Sequence, residues 1–231
     1  MSDISLRRMR ISRVRDLNDP FELLAVRADS KEIRKGLRGW IDEFNRSNGL
    51  LCFSKRWNSP VLWSHYASKH RGMCLGFDVS DELLQDVQYT KDRLPLRFVD
   101  GNPDKGLEEE FVRALLYTKY LHWAYEEEVR TFVRLDHSAI ENGSYFQTFD
   151  SALALGEVIL GPLCELPIER VRNLVHSVYD HVPVIKARLA FKWFDVVADE
   201  RSVRAENTYW EQRGLRAPYA LSEPSPKQNV V

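Results

Sequence analysis

The sequence predicts an α+β fold, a single domain with a central mixed or antiparallel sheet flanked by helices. Two observations carry that expectation. Between Leu50 and Val79 the pattern passes from a short apolar run, through a capped helical stretch, to strict alternation, which reads as strand, helix, strand. Elsewhere amphipathic helical stretches alternate with short strand-like runs, with no internal repeat and no clear linker. Residues 1–200 are read as the domain. Residues 201–231 are read as a C-terminal extension, and Ser222 to Val231, with two prolines and few apolar residues, has the composition of a disordered tail.

Composition narrows the function classes. A length of 231 residues suffices to bury a sizeable core, and 44% hydrophobic with 29% charged residues is ordinary for a globular protein. The net charge of -1 lacks the basic excess that nucleic-acid partners normally call for. Three cysteines, Cys52, Cys74 and Cys164, are an odd and sparse set that suits a reducing compartment, so no disulfide and a cytoplasmic location are expected. With no apolar run of 18 residues and no charged-then-apolar leader, neither a membrane partner nor a signal peptide is expected.

Taken in order, Leu6 to Ser12 reads as a strand inside a cluster of Arg7, Arg8, Arg10, Arg13 and Arg15. That cluster is either a salt-bridged surface or an anion site, and the surface is the commoner outcome. Asn18-Asp19-Pro20 is a turn and helix-start signal. Ser30 caps a helix that runs to Asn48-Gly49, with Ile33, Leu37, Ile41 and Phe44 at helical spacing. Leu50 to Ser54 is a short buried strand. Ser59 and Pro60 then start a helix carrying Leu62, Trp63, His65, Tyr66 and Ala67, which Arg71-Gly72 should close. From Met73 to Val79 the period is two.

Further on, Ser80 to Leu84 reads as one helical turn, Val87 to Thr90 as a strand and Asp92 to Asp104 as an irregular loop. Leu107 to Leu121 reads as a helix with Glu108 to Glu110 at its electropositive end. Tyr145 to Phe149 and Glu157 to Pro162 read as strands and Pro167 to Tyr179 as a helix. Pro183 to Ala187 and Trp193 to Ala198 read as two closing strands.

Trp123 to Arg134, WAYEEEVRTFVR, is the second informative stretch. As a strand it puts Glu127, Val129, Thr131 and Val133 on one face, the natural core side. Glu126, Glu128, Arg130 and Phe132 share the other, with charges roughly 7 Å apart. Ionised groups are almost never buried unpaired, so that second face should lie in water or line a polar cleft. Because Met73 to Val79 and Val129 to Val133 both alternate, they are expected in one sheet.

Metal binding is not indicated. His65 and His70 are five apart rather than four, and there is no HExxH and no CxxC. GxSxG, Walker A and GxGxxG signatures are also absent. In WSHYA, Trp63, Tyr66 and Ala67 share a helix face, which is either core or the aromatic wall of a small-molecule pocket.

Five blocks occur in order: NDPFE at Asn18 to Glu22, CFS at Cys52 to Ser54, WSHYASKHRGMCLGFDV at Trp63 to Val79, WAYEEEVR at Trp123 to Arg130 and EVILGP at Glu157 to Pro162. The set resembles the bacterial domain-of-unknown-function family two-nine-seven-one, over most of the chain up to about Ala198. The resemblance implies no settled activity. It implies a distant likeness to ADP-ribosyltransferase folds and an association with phage defence and toxin systems, at the level of fold analogy. Fuller members carry, ahead of the NDPF block, a strand with a Lys-Tyr-Arg-like sequence. This sequence shows no obvious copy, and if that strand helps hold a dinucleotide its absence counts against catalysis.

Two readings follow. In the enzyme reading NAD is consumed as substrate by a transferase or glycohydrolase. Glu128 or Glu126 stabilises the oxocarbenium-like ribose, Tyr66 or Trp63 stacks on nicotinamide, and His65 and Arg130 contact polar or phosphate oxygens. Asn18, Ser54 and His70 complete the expected concavity. In the other reading the protein is a non-catalytic binding or interaction protein of a defence system, in which Glu126, Glu128 and Arg130 form an ion-pair network. A small-molecule ligand fits either; a macromolecular target and an oligomeric state do not follow from the sequence.

Overall fold

The helix-start signals hold in the computed structural model, which describes residues 2–98 and 106–220. Ser30 Oγ accepts a hydrogen bond from Ile33 N and Ser59 Oγ one from Leu62 N, with Pro60 in the first turn. In chain order the first elements are α1 (Ser2–Ser5), β1 (Arg8–Ile11), α2 (Lys31–Ser47), β2 (Asn48–Ser54), α3 (Pro60–Tyr66) and β3 (Met73–Val79). Then come β4 (Gln85–Asp86), β5 (Gln88–Thr90), α4 (Glu109–Leu116), β6 (Thr118–Tyr120) and β7 (Glu128–Arg134). The rest are β8 (Tyr145–Thr148), β9 (Leu153–Leu160), α5 (Ile168–Val178), β10 (Val184–Leu189), β11 (Val196–Ala198) and α6 (Glu200–Glu211). The fold class is α+β, with antiparallel and mixed sheets.

The chain divides into two compact units, each assembled from two stretches of sequence. The first takes the chain up to Arg56 and Val79–Ala154; the second takes Trp57–Asp78 and the chain from Leu155 on. In the first, β7 is the middle strand of β2-β7-β4 and pairs with β2 over seven residues, from Asn48↔Arg134 to Ser54↔Glu128. Its core gathers Val26, Leu37, Phe111 and Leu115 in one cluster and Val14, Leu23 and Leu50, with Phe44 and Phe132, in another. In the second unit the sheet order is β11-β10-β9-β3, with β9 and β10 parallel and β10 and β11 antiparallel. Trp63 and Ala67 pack there on Ile159, Ile185 and Val196. Met73–Val79 and Glu128–Arg134 thus belong to different sheets, contrary to the expectation of one.

Other departures have local causes. Helix α3 stops at Tyr66 rather than at Arg71-Gly72, because Ser68, Lys69 and His70 adopt φ of 48°, 55° and 68°. Three successive non-glycine residues in the left-handed region are unusual. Here they are held by His70 N donating to Trp63 O and Gly72 N to Ala67 O. The chain after β9 lies close against this turn: a Cβ on Gly161 would fall 2.3 Å from His70 O, so only glycine fits. The helix expected to reach Leu121 ends at Leu116, and β6 follows in parallel pairing with β5. The strand expected from Trp123 begins only at Glu128, since Leu121–Glu126 is a 3-10 turn and Glu127 is left-handed.

Beyond Asp199, α6 is a helix that sequence reading missed, capped by Asp199. The irregular loop expected over Asp92 to Asp104 falls partly outside the described residues, as does the tail expected from Ser222. Three arginines of the N-terminal cluster are salt-bridged, Arg8 to Glu141, Arg10 to Asp16 and Arg15 to Asp42, and Arg13 Nη2 donates to Asn45 O.

Candidate functional site

The charged face of β7 points into the first unit. Arg130 is fully buried, and Glu128 and Glu126 are nearly so, at 6% and 4% exposure. This corrects the expectation that this face meets water or lines a polar cleft, with only the Val129 side as core. The face is inward because its charges compensate one another, and Phe132 continues it into the apolar cluster with Leu50.

Arg130 grips Glu128 with two nearly parallel bonds, Nε to Oε1 at 2.9 Å and Nη2 to Oε2 at 2.8 Å. Its Nη1 reaches Glu22 Oε1 at 2.5 Å and Leu116 O at 3.2 Å. Lys119 supplies the second cation. Its Nζ donates to Glu126 Oε2 at 2.6 Å and to Glu128 Oε2 at 3.1 Å, and it lies 4.8 Å from the Trp123 ring centroid. The Glu128 backbone N–H donates to the Tyr89 hydroxyl. Cys52 sits opposite Arg130 in the β2–β7 ladder.

The local sequence explains the delivery of each group. In NDPFE, Asp19 Oδ1 accepts from Phe21 N, Glu22 N donates to Asp19 O, and Leu23 is left-handed at φ 56°. That tight turn aims Glu22 inward, where it is 6% exposed. The left-handed Glu127 at φ 43° separates Glu126 from β7, so that Glu126 and Glu128 both reach Lys119.

Three carboxylates thus face two cations. Burial pushes the Glu22 carboxyl above the usual range, with Arg130 opposing only in part. For Glu128, burial also pushes upward, but Arg130 and Lys119 outweigh it and hold the carboxyl below the usual range. Burial acts to lower the Lys119 pKa, yet Glu128 and Glu126 raise it overall and keep the ammonium charged. A proton taken up by the cluster goes to Glu22 before Glu128.

Glu22 also lines a cleft of about 270 Å³. Val14, Leu17, Leu24 and Ile41 give it apolar walls; Arg15, Asp19, Pro20, Arg38 and Asp42 complete the lining. Asp42 is neutralised by Arg15 at 2.5 Å and Asp19 is committed to its turn. Arg38 is exposed and has no ionic partner among the described residues.

The other residues singled out from sequence are placed as follows. Glu126, Glu128 and Arg130 come together as described. In the first unit Asn18 is exposed in the turn before Glu22, and Ser54 Oγ bonds Arg56 O at 2.8 Å. In the second unit Trp63 is a core residue, 3% exposed, whose Nε1 donates to Trp57 O at 2.6 Å. His65 and Tyr66 are exposed, with rings edge to face at 6.2 Å. His70 is half-buried in the left-handed turn, with its Nδ1 unbonded. Sequence reasoning missed Lys119 and Glu22 as site members. Glu22 stood in a quoted block, but only as part of a turn, and Lys119 had no signal beyond a lysine between aromatic residues in YTKY.

Among the described residues no group of three or more His, Cys, Asp and Glu side chains is placed to hold a metal ion. The second unit has its own buried acid. Glu206, wholly buried, accepts from Arg172 Nε at 2.6 Å, Val184 N at 3.0 Å and Trp210 Nε1 at 3.0 Å.

Fold and site define an α+β protein with an internally compensated charge cluster beside a small cleft. Its family resemblance is explicit: residues 62–131 match DUF2971, described as a protein of unknown function. The matched span contains the WSHYASKHRGMCLGFDV and WAYEEEVR blocks whole, and with them Lys119, Glu126, Glu128 and Arg130. No curated protein and no solved structure matches the chain.

Proposed function

We propose that the protein is a non-catalytic binding protein whose ligand site is the cleft beside Glu22. The observation that carries this reading is the commitment of Glu128: both its oxygens hold Arg130, and one also holds Lys119. A carboxylate that stabilises an oxocarbenium-like ribose must offer lone pairs to the substrate. Glu128 is 6% exposed and three of its roughly four acceptor sites are taken, so it would do so only by opening the buried cluster, at a cost of about 3–5 kcal/mol. The cleft asks for no such release. Its acids are neutralised, used in a turn or pushed toward the protonated form, and Arg38 leaves one cation above apolar walls. The chemistry that fits is a small molecule with an anionic end and an apolar body.

Two assays run together test this. Benzoate, as a minimal aromatic carboxylate, is expected to raise the melting temperature of the wild type and to lose that effect in Arg38→Ala. Incubation with NAD is expected to release no nicotinamide above a protein-free blank. Release that Glu128→Gln abolishes while the fold stays intact would overturn the proposal in favour of the NAD-consuming enzyme. A cytoplasmic location goes with this reading and is supported by three free cysteines. No helix among the described residues is long and apolar enough to cross a membrane. A place in a phage-defence or toxin system rests on the family resemblance alone.

A further inference from the structure

The loop joining β10 to β11 inverts the usual distribution of aromatic residues. Phe191, Trp193 and Phe194 are 90%, 59% and 97% exposed, and Leu189 beside them is 52% exposed. This exposure is built in. Leu189 pairs with Val196 across the ladder, and Ala190 N donates to Asp195 O at 2.9 Å, closing the neck behind a four-residue tip, Phe191 to Phe194. Asp195 is tethered by Asn58 Nδ2 at 3.3 Å, and Val196 N donates to Asn58 O. The chain from Lys186 to Phe194 contains no acid, and two of its cations belong to the tip region. The Arg188 guanidinium lies 4.7 Å over the Phe191 ring and 3.8 Å from the exposed Glu200 carboxylate, and Lys192 stands between the aromatics.

We propose that this hairpin tip is a peripheral contact for an anionic lipid surface. Phe191, Trp193 and Phe194 enter the boundary between headgroups and acyl chains, and Arg188 and Lys192 meet the headgroup phosphates and carboxylates. Three features select lipid over a protein groove or a second copy. The tip is convex and narrow. Its three rings expose roughly 400–600 Å², short of the ~800 Å² per partner of a standard protein interface. Aromatic rings with interleaved cations also match an anionic bilayer surface in both polarity and charge. Sequence reading expects no membrane partner because its signals are long apolar spans and leaders, and a four-residue tip produces neither.

The test is co-sedimentation of the full chain with vesicles of phosphatidylcholine plus phosphatidylserine and, separately, of phosphatidylcholine alone. Binding is expected to the mixed vesicles, to weaken with added salt, and to drop at least about tenfold in partition coefficient in Trp193→Ser/Phe194→Ser. Lys192→Ala should lose roughly fivefold. Trp193→Phe should keep sedimenting while losing the part of the fluorescence quenched by brominated lipid, a readout that a general folding defect would not give. Circular dichroism should be unchanged in all variants, since the substituted side chains are exposed. Wild type that ignores both vesicles, or binding that survives the double substitution, overturns the proposal. So does concentration-dependent dimerisation abolished by Phe194→Ser, which would assign the tip to a second copy.

Discussion

Glu128 in the first unit and Glu206 in the second are both buried carboxylates, and they are satisfied in different currencies. Glu128 is held by charge, with Arg130 on both oxygens and Lys119 on one. Glu206 is held by one cation, Arg172, and by two neutral donors, the Val184 backbone and the Trp210 indole. Compensation by charge recruits further charge: Arg130 also needs Glu22, and Lys119 also needs Glu126. Around Glu206 the only further charge among the described residues is Glu169, exposed, on Arg172 at 2.5 Å, and the dipoles tie together the elements that supply them, here α5, β10 and α6. That arrangement tolerates imperfection, since Arg172 Nη2 and His176 Nδ1 are buried without a bond. The first arrangement is sensitive to protons and to loss of one member. The second is sensitive mainly to geometry.

Removing the central cation should separate the two most sharply. Arg130→Met leaves Glu22, Glu126 and Glu128 around Lys119 alone and is expected to cost about 3–5 kcal/mol in urea denaturation. Arg172→Met leaves Glu206 a buried charge held only by its two neutral donors and should cost less, about 3 kcal/mol, at the lower end of that range. Equal losses would break the contrast.

A smaller effect is expected from Glu206→Gln. The amide oxygen can still accept from Val184 N and Trp210 Nε1, but its NH2 then faces Arg172, so a loss of about 1.5–3 kcal/mol is expected. Melting curves read by near-ultraviolet circular dichroism would check it.

The smallest effect belongs to Glu22→Gln. Gln keeps a carbonyl oxygen for Arg130 and has the uncharged form that burial favours, so the change should cost the least of these. Its mark is on the pH profile. Because the folded-state pKa of Glu22 lies above its ordinary 4.5, this group's contribution to stability falls as pH rises from 4.5 through the folded value. Glu128, with its pKa lowered, has the opposite sign: its contribution is complete above 4.5 and is lost as pH falls through the folded value. Stability measured between pH 3 and 8 should therefore lose its downward component above 4.5 in Glu22→Gln and keep the acid-side loss. An unchanged profile would show that Glu22 does not carry the cluster's proton.

Much of the fold was legible because local chemistry decides it. Ser30 and Ser59 both cap, Pro60 takes the first turn, and the alternation of Met73 to Val79 is a strand. What failed were inferences that depend on distant partners. Period two identifies the two faces of β7 but not which one is inward. Arg130 and Glu128 look like a solvent face until Glu22, more than a hundred residues earlier, is brought to them. Helix α6 was passed over for the same reason, since its buried positions include Glu206 and Asn207, which read as surface residues. The left-handed turn at Ser68 to His70 has no glycine to announce it. Of the candidate site, the sequence showed Glu126, Glu128 and Arg130 as a group. It did not show that Lys119 and Glu22 complete it.

The interleaving of the two units has a consequence for synthesis. Strand β3 and helix α3 leave the ribosome well before β9, the strand against which β3 is paired. At about 5–20 residues per second, Leu155 follows Asp78 by roughly 4–15 s. During that interval Trp63 and Ala67 lack Ile159, Ile185 and Val196 and the edge of β3 lacks β9, while the first unit gathers the chain made in between. The nascent protein therefore carries an unpaired strand edge through the completion of its first unit, which makes this the interval in which a chaperone, or a neighbouring chain on the same message, has most to bind.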